Sequence, residues 1–239
     1  MDILFWIQSN PKIKIDYTTK KYFGKYLYKL VVYAPGGRLV DDTGDLSEAL
    51  EHRRAIAQHI SQSWWHARSN RELENANVEF LTVLRDIRHD KSIDIKLRVE
   101  EPRIQIYAKS NEDLIALYDS HLKPFNDLIE SYASPANEQS ANLLNSGAII
   151  RKTDIGYSHK VILRDGKYSP EIKRKILNYL ETLGDETVRL PKSCYEMLAK
   201  STSFVWNLYF YTNDPAITTF ISLIEPRLVS NIHKIVVEH

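Results

Sequence analysis

The chain has 239 residues, 43% of them hydrophobic and 10% aromatic, and a formal net charge of +1. That much apolar material can fill one large core or two small ones, and so balanced a charge excludes a whole-molecule field that gathers polyanions, leaving any nucleic-acid contact to a local patch. A single cysteine, Cys194, excludes a disulfide framework and a cysteine-rich zinc site and fits a reducing, cytoplasmic setting, while the brief apolar run after Asp2 is too short for a signal or a membrane span.

Taken in order, the residues before Tyr17 form an extension without a clear pattern. Residues 26–32 (YLYKLVV) read as a strand, and Pro35-Gly36-Gly37-Arg38 as the turn that closes it. Two helical stretches follow, near 46–67 and 71–88. Strict alternation predicts a strand over 93–99 (IDIKLRV), and 103–109 reads as another. A helix is expected over 110–130, opened by Ser110 with Asp113 in the manner of a capping box. Residues 131–147 are small and polar and read as a linker, after which 148–152 would return to close the first sheet.

The second half reads more plainly. Residues 157–164 (YSHKVILR) form a strand that stops at Asp165-Gly166. Ser169-Pro170-Glu171 opens a helix with Ile172, Ile176, Leu180 and Leu183 on one stripe, closed by Gly184. A short strand over 187–190, a turn or small helix over 191–200 and a strand over 204–211 (FVWNLYFY) come next. Asp214-Pro215 opens a last helix that ends at Pro226, and 232–237 supplies a last strand.

Residues 104–125 recur without a gap 102 positions later as 206–227, with Tyr107/Tyr209, Asn111/Asn213, Ile115/Ile217, Ser120/Ser222 and Pro124/Pro226 identical. The strand 26–32 aligns with 157–163 at an offset of 131, so 29 residues are extra in the first copy, where its two helical stretches lie. Each copy has the order β-α-β-β-α-β, which predicts an α+β chain of two tandem ferredoxin-like units: residues 1–130, with a helical hairpin inserted near 45–90, a linker 131–147, and residues 148–239. In that fold two helices cover one face of a four-stranded sheet and leave the other open.

Period two assigns the faces. Ile104, Ile106 and Ala108, like Trp206, Leu208 and Phe210, should lie under helices; Arg103, Gln105, Tyr107 and Lys109, with Lys29, Tyr33, Lys96 and Arg98, should face outward in the first unit. In the second, Asn207, Tyr209 and Tyr211 share the open side with Lys160, Arg164 and Arg189. Tyrosines set among Lys, Arg, Gln and Asn suit single-stranded nucleic acid, because bases stack on rings at about 1–3 kcal/mol each while cations take the phosphates. The topology resembles RNA-recognition-motif domains, although their glycine-bearing third-strand motif is absent from RIQIYAK and FVWNLYFY. The expectation is therefore non-catalytic binding of single-stranded RNA, ahead of DNA. The alternatives are an assembly or protein-interaction subunit, whether homo-oligomeric or with another protein and of phage-like composition, and a metal-independent endoribonuclease.

Other constellations are weaker. His52, His59 and His66 recur every seven residues, which spaces them about 10.5 Å along a helix and excludes a shared metal within it. Asp41-Asp42 with Asp45 lacks an EF-hand spacing, Arg38 could reach a phosphate, Cys194 reads as a buried inert thiol, and Lys173, Arg174 and Lys175 read as surface charge. No P-loop, dinucleotide, nucleophile-elbow or HExxH motif occurs, so no catalytic residue, metal ligand or cofactor is assigned.

Overall fold

A sheet with one greasy face must be roofed, and in this chain helices roof both sheets. The computed structural model describes residues 2–42, 44–59, 73–202 and 204–237, and within them the fold is mixed α+β with two five-stranded sheets and a two-stranded ribbon. The chain divides into two compact units, Met1–Ala141 and Asn142–His239. Among the described residues no helix is long and apolar enough to cross a membrane.

In the first unit α1 (Asp2–Ser9) and β1 (Lys14–Tyr17) precede β2 (Tyr28–Tyr33). A 3-10 turn, Gly37–Asp41, leads to α2 (Leu46–His59), and α3 (Val78–His89) is capped by Asn77, whose side chain accepts from the Phe80 N–H. The ends of the two expected inserted helices, residues 60–67 and 71–72, lie outside the described residues. The hairpin β3 (Ile95–Glu100) and β4 (Arg103–Ala108) follows, then α4 (Asn111–Leu117), whose capping box pairs Ser110 with Asp113 as expected.

Beyond α4 the expected long helix fails. The chain runs through a π turn (Tyr118–Leu122) and a 3-10 stretch (Lys123–Leu128) into β5 (Ile129–Ser134), so the segment expected as a linker starts inside a strand and continues into α5 (Glu138–Asn145). Pro124 at the start of the 3-10 stretch lacks the N–H a longer helix needs. β5 forms because partners wait on both sides: it pairs antiparallel with β2 and parallel with β1. The sheet order is β1-β5-β2-β4-β3. Leu30, Val32, Leu97, Ile104, Ile106 and Tyr132 form its buried face, packed with Trp6 of α1, Leu50 of α2, Phe80, Leu81 and Leu84 of α3, and Leu114 of α4.

The second unit repeats that plan. β6 (Ile149–Arg151) precedes β7 (His159–Leu163), and α6 (Pro170–Thr182), β9 (Val188–Arg189), α7 (Lys192–Ala199), β11 (Tyr209–Thr212), α8 (Ile217–Ile224) and β12 (Val229–Val237) follow. The order is β6-β12-β7-β11-β9, with β6 parallel to β12. Residues 148–152 therefore complete the second sheet and not the first. In both units the extra strand lies just before the first strand of the repeat and pairs parallel with its last.

The expected strand 204–211 is broken. β10 (Phe204–Val205) leaves to pair with β8 (Gly166–Lys167), and Asn207 turns the chain at φ 51 before β11 begins. That turn resets the alternation: Val205 is buried and Trp206 is 61% exposed, the reverse of what period two predicts. Lys173, expected as surface charge, is 1% exposed; its Nζ donates to the carbonyls of Met197 (2.9 Å) and Lys200 at the end of α7, and burial lowers its pKa. Helix C-terminal carbonyls carry partial negative charge, so a cation there ties α6 to α7.

Asn111 is the buried polar joint of the first unit. Its Oδ1 accepts from Trp6 Nε1 (3.1 Å) and from the Tyr132 hydroxyl (2.8 Å), linking α1, α4 and β5. Asn111→Ala deprives the buried indole N–H of this acceptor and should cost about 1–3 kcal/mol. Urea unfolding followed by tryptophan fluorescence checks this, and an unchanged midpoint in the alanine variant would refute it.

Candidate functional site

In the first sheet, cross-strand register aligns Lys29 with Tyr107 and Lys96, Val31 with Gln105 and Arg98, and Tyr33 with Arg103 and Glu100. The alternation is as expected, yet the face is not open. Between β1 and β2 the chain makes a tight turn in which Tyr22 and Tyr26 pair, with Phe23 at φ 52 and Gly24 at φ 68. The turn sets the rings of Tyr22, Phe23 and Tyr26 at 5.1, 5.0 and 6.4 Å from Tyr107, which is only 3% exposed.

Three of the cations expected to hold phosphate on this face, Arg98, Arg103 and Lys109, are neutralised by carboxylates. Lys96 lies 3.9 Å over Phe23 and Lys29 5.3 Å over Tyr22. Arg98 pairs with Glu100 at 2.8 Å, Arg103 with Glu130, and Lys109 with Asp94 at 2.5 Å. Gln105 donates to Glu100 at 2.5 Å and accepts from the Tyr107 hydroxyl. Tyr33 stands at the strand end and lines a small recess with Pro35, Asn77 and Phe80. Arg38 lies against Glu101 at 3.7 Å instead of projecting free.

In the second sheet the outward residues stay partly exposed. One transverse row holds His233, Lys160, Tyr211 and Arg189, and the next holds Asn231, Ile162 and Tyr209. Tyr209 and Tyr211, two apart on β11, are both half-buried, with ring centroids 5.5 Å apart. Lys160 Nζ lies 3.7 Å over the Tyr209 ring. Tyr157 extends the series, its ring 6.3 Å from Tyr211 and inclined by 29°. Arg151 on β6 reaches the Tyr211 hydroxyl at 3.4 Å, and His233 Nδ1 donates to the Gly147 carbonyl at 2.8 Å.

Burial pushes the Tyr209 hydroxyl up, the neighbouring Tyr211 adds to the rise and Arg151 opposes it. Arg164 is exposed just past β7, with its carbonyl accepting from Tyr168. Asn207 sits in the strand break, its N–H donating to Asp165 at 2.6 Å, and takes no part in the β11 rows.

Arg151 and Tyr157 were not among the residues singled out in the sequence. Arg151 falls in the segment assigned to the other sheet, and Tyr157 lies just before β7; its equivalence to Tyr26 in the aligned repeats was the available signal. Beside this face a cleft of about 850 Å³ opens at the β9 edge, its walls including Tyr157, Leu180, Asp185, Arg189, Lys192 and Tyr195.

The remaining candidates fall to ordinary structural roles. Asp41 pairs with Arg88 at 2.5 Å, and Asp45 accepts from the N–H groups of Ser47 and Glu48 at the start of α2. Cys194 is buried, which pushes its thiol up to about 12. His52 is exposed, whereas His66 lies outside the described residues. Among the described residues no three His, Cys, Asp or Glu side chains are grouped to hold a metal. Comparison with protein-family models, with curated proteins and with solved structures finds no match.

The cover over Tyr107 has a thermodynamic signature. Burial, with Glu100 adding, raises its hydroxyl from 10.0 to about 12. An acid raised in the folded state contributes stability that is complete below its unfolded pKa and lost as pH climbs through the folded one. Stability of the first unit should therefore fall between pH 10 and about 12. In Tyr107→Phe the fall should be smaller, with the remainder owed to Tyr22, whose hydroxyl is raised the same way by burial. Urea midpoints across this range test the account, which fails if parent and variant lose stability equally.

Proposed function

We propose that the chain binds single-stranded nucleic acid, RNA ahead of DNA, on the open face of its second sheet. The observation that carries this is the half-exposed tyrosine series Tyr209, Tyr211 and Tyr157, flanked by Lys160, Arg151 and Arg189. Bases can stack along such a series while the cations take phosphates, with no demand on sequence. With a net charge of +1, affinity rests on this patch and not on the field of the whole molecule.

The strand orders support the fold half of this reading. Setting aside β1 and β6, each sheet runs last-first-third-second with antiparallel neighbours, the order of a ferredoxin-like unit, and we take the chain as two such units with a helical insertion in the first. The preference for RNA rests on the likeness to sheets that present aromatic side chains to unstacked bases. The first unit, with its tyrosine covered, serves as scaffold. A protein-interaction role is the second reading, favoured by apolar side chains that α8 leaves outside, Leu223 at 78% and Phe220 at 46% exposure.

Fluorescence anisotropy with labelled ten-nucleotide oligo(U) and oligo(dT) tests the proposal. Tyr209→Ala and Tyr211→Ala should each weaken binding roughly fivefold to 150-fold, the equivalent of about 1–3 kcal/mol, and Tyr107→Ala should leave affinity unchanged. Lys160→Ala and Arg189→Ala should each lower the slope of log affinity against log salt by about 0.7. Absence of binding to either oligonucleotide at low salt would sink the proposal.

A further inference from the structure

The cleft at the β9 edge is continuous with the tyrosine face. Tyr157 belongs to both, stacking beside Tyr211 and lining the cleft, and so does Arg189, which is paired in register with Tyr211. A strand that follows the rings from Tyr209 to Tyr211 to Tyr157 therefore arrives at the cleft mouth. At about 850 Å³ the cleft lies within the roughly 300–1,000 Å³ common for small-molecule sites.

Its walls are held in advance of any ligand. The Asn213 side chain accepts from the Ser158 N–H (2.9 Å) and donates to the carbonyls of Gly156 (3.0 Å) and Glu186 (3.1 Å). One amide thus ties the segment carrying Tyr157 to the segment carrying Asp185. The Tyr157 hydroxyl also donates to the Asp185 carbonyl, so the ring is fixed at both ends.

The lining is chemically mixed in a particular way. Tyr157 and Tyr195 supply aromatic rings, Leu180 and Val188 apolar side chains, Arg189 and Lys192 cations, the latter also near Glu196 at 3.9 Å, and Glu181 and Asp185 carboxylates. An ionised carboxylate only accepts hydrogen bonds, through two oxygens. Among the bases guanine alone sets two adjacent donors, N1–H and the 2-amino group, on one edge; uracil flanks its single N–H with two carbonyls that a carboxylate repels.

We infer that the cleft receives one base of the bound strand, turned out of the stack, and that the base is guanine. Its ring lies against Tyr195, its donor edge faces the carboxylates, and its phosphate is met by Arg189 and Lys192. This rests on the nucleic-acid reading of the adjoining face and adds to it a preference for one base at one position.

The test uses the full chain and three labelled RNA nonamers: oligo(U), the same with a central G, and the same with a central A. The G-containing strand should bind about tenfold tighter than oligo(U). That advantage should vanish in Tyr195→Ala and in the double variant Glu181→Gln, Asp185→Asn, while affinity for oligo(U) stays within twofold. Tyr195 is 45% exposed, and circular dichroism verifies that its variant is folded. Equal affinity for the U and G strands, tighter binding of the A strand, or an advantage that survives both variants overturns the inference and leaves the face as a binding surface. Loss of binding to all three strands by the parent protein overturns the face and the cleft together.

Discussion

The pairing of first and third strands at the centre of each sheet, β2 with β4 and β7 with β11, constrains everything around it. A strand turns successive side chains to opposite sides, so once Leu30 and Ile106, or Val161 and Phe210, are drawn under helices, their neighbours are forced outward. Each buried apolar side chain contributes roughly 1.5–3 kcal/mol, which leaves a one-residue slip no way to compete. The outward positions are thus dictated by the core, and only what covers them afterwards is open to variation.

The two units vary in this respect. In the first, Lys29 pairs with Tyr107; in the second, Lys160 pairs with Tyr211, although the sequence repeat equates Tyr107 with Tyr209. The copies have slipped by two residues, a step that keeps every side chain on its own face while changing its neighbours. The first unit then spends its cations on its own rings and carboxylates under the 22–26 turn. In the second the lysine lies diagonally over one tyrosine, and the arginines approach the other from opposite edges of the sheet.

Where local pattern and tertiary demand agree, the sequence was readable. The alternation of residues 95–100 and 103–108, the Ser110–Asp113 box and the Ser169-Pro170 start of α6 all formed as their chemistry implies. β5 was unreadable because Glu130, Ser131 and Ser134 carry little strand propensity; β1 and β2 on either side supply the reason to extend. The Asn207 break was hidden inside an aromatic run that reads as one strand, and it reversed the positions of Val205 and Trp206. Lys173 defeated the rule that charge stays outside because two carbonyls at the end of α7 were waiting for it. The burial of Tyr107 depended on a turn 81 to 85 residues earlier, and only the density of rings at Tyr22, Phe23 and Tyr26 hinted at it.

Both sheets place a strand that is early in the chain against the strand that ends the unit. During synthesis β1, Lys14–Tyr17, has no edge to join until Ile129–Ser134 has left the ribosome, and β6 waits in the same way for β12. Closing so long a loop is slow relative to local helix formation. The β1 segment of the nascent first unit therefore stays unpaired until β5 is made, so completion of that sheet is timed by a segment that four of six residues, Glu130, Ser131, Ala133 and Ser134, do little to extend.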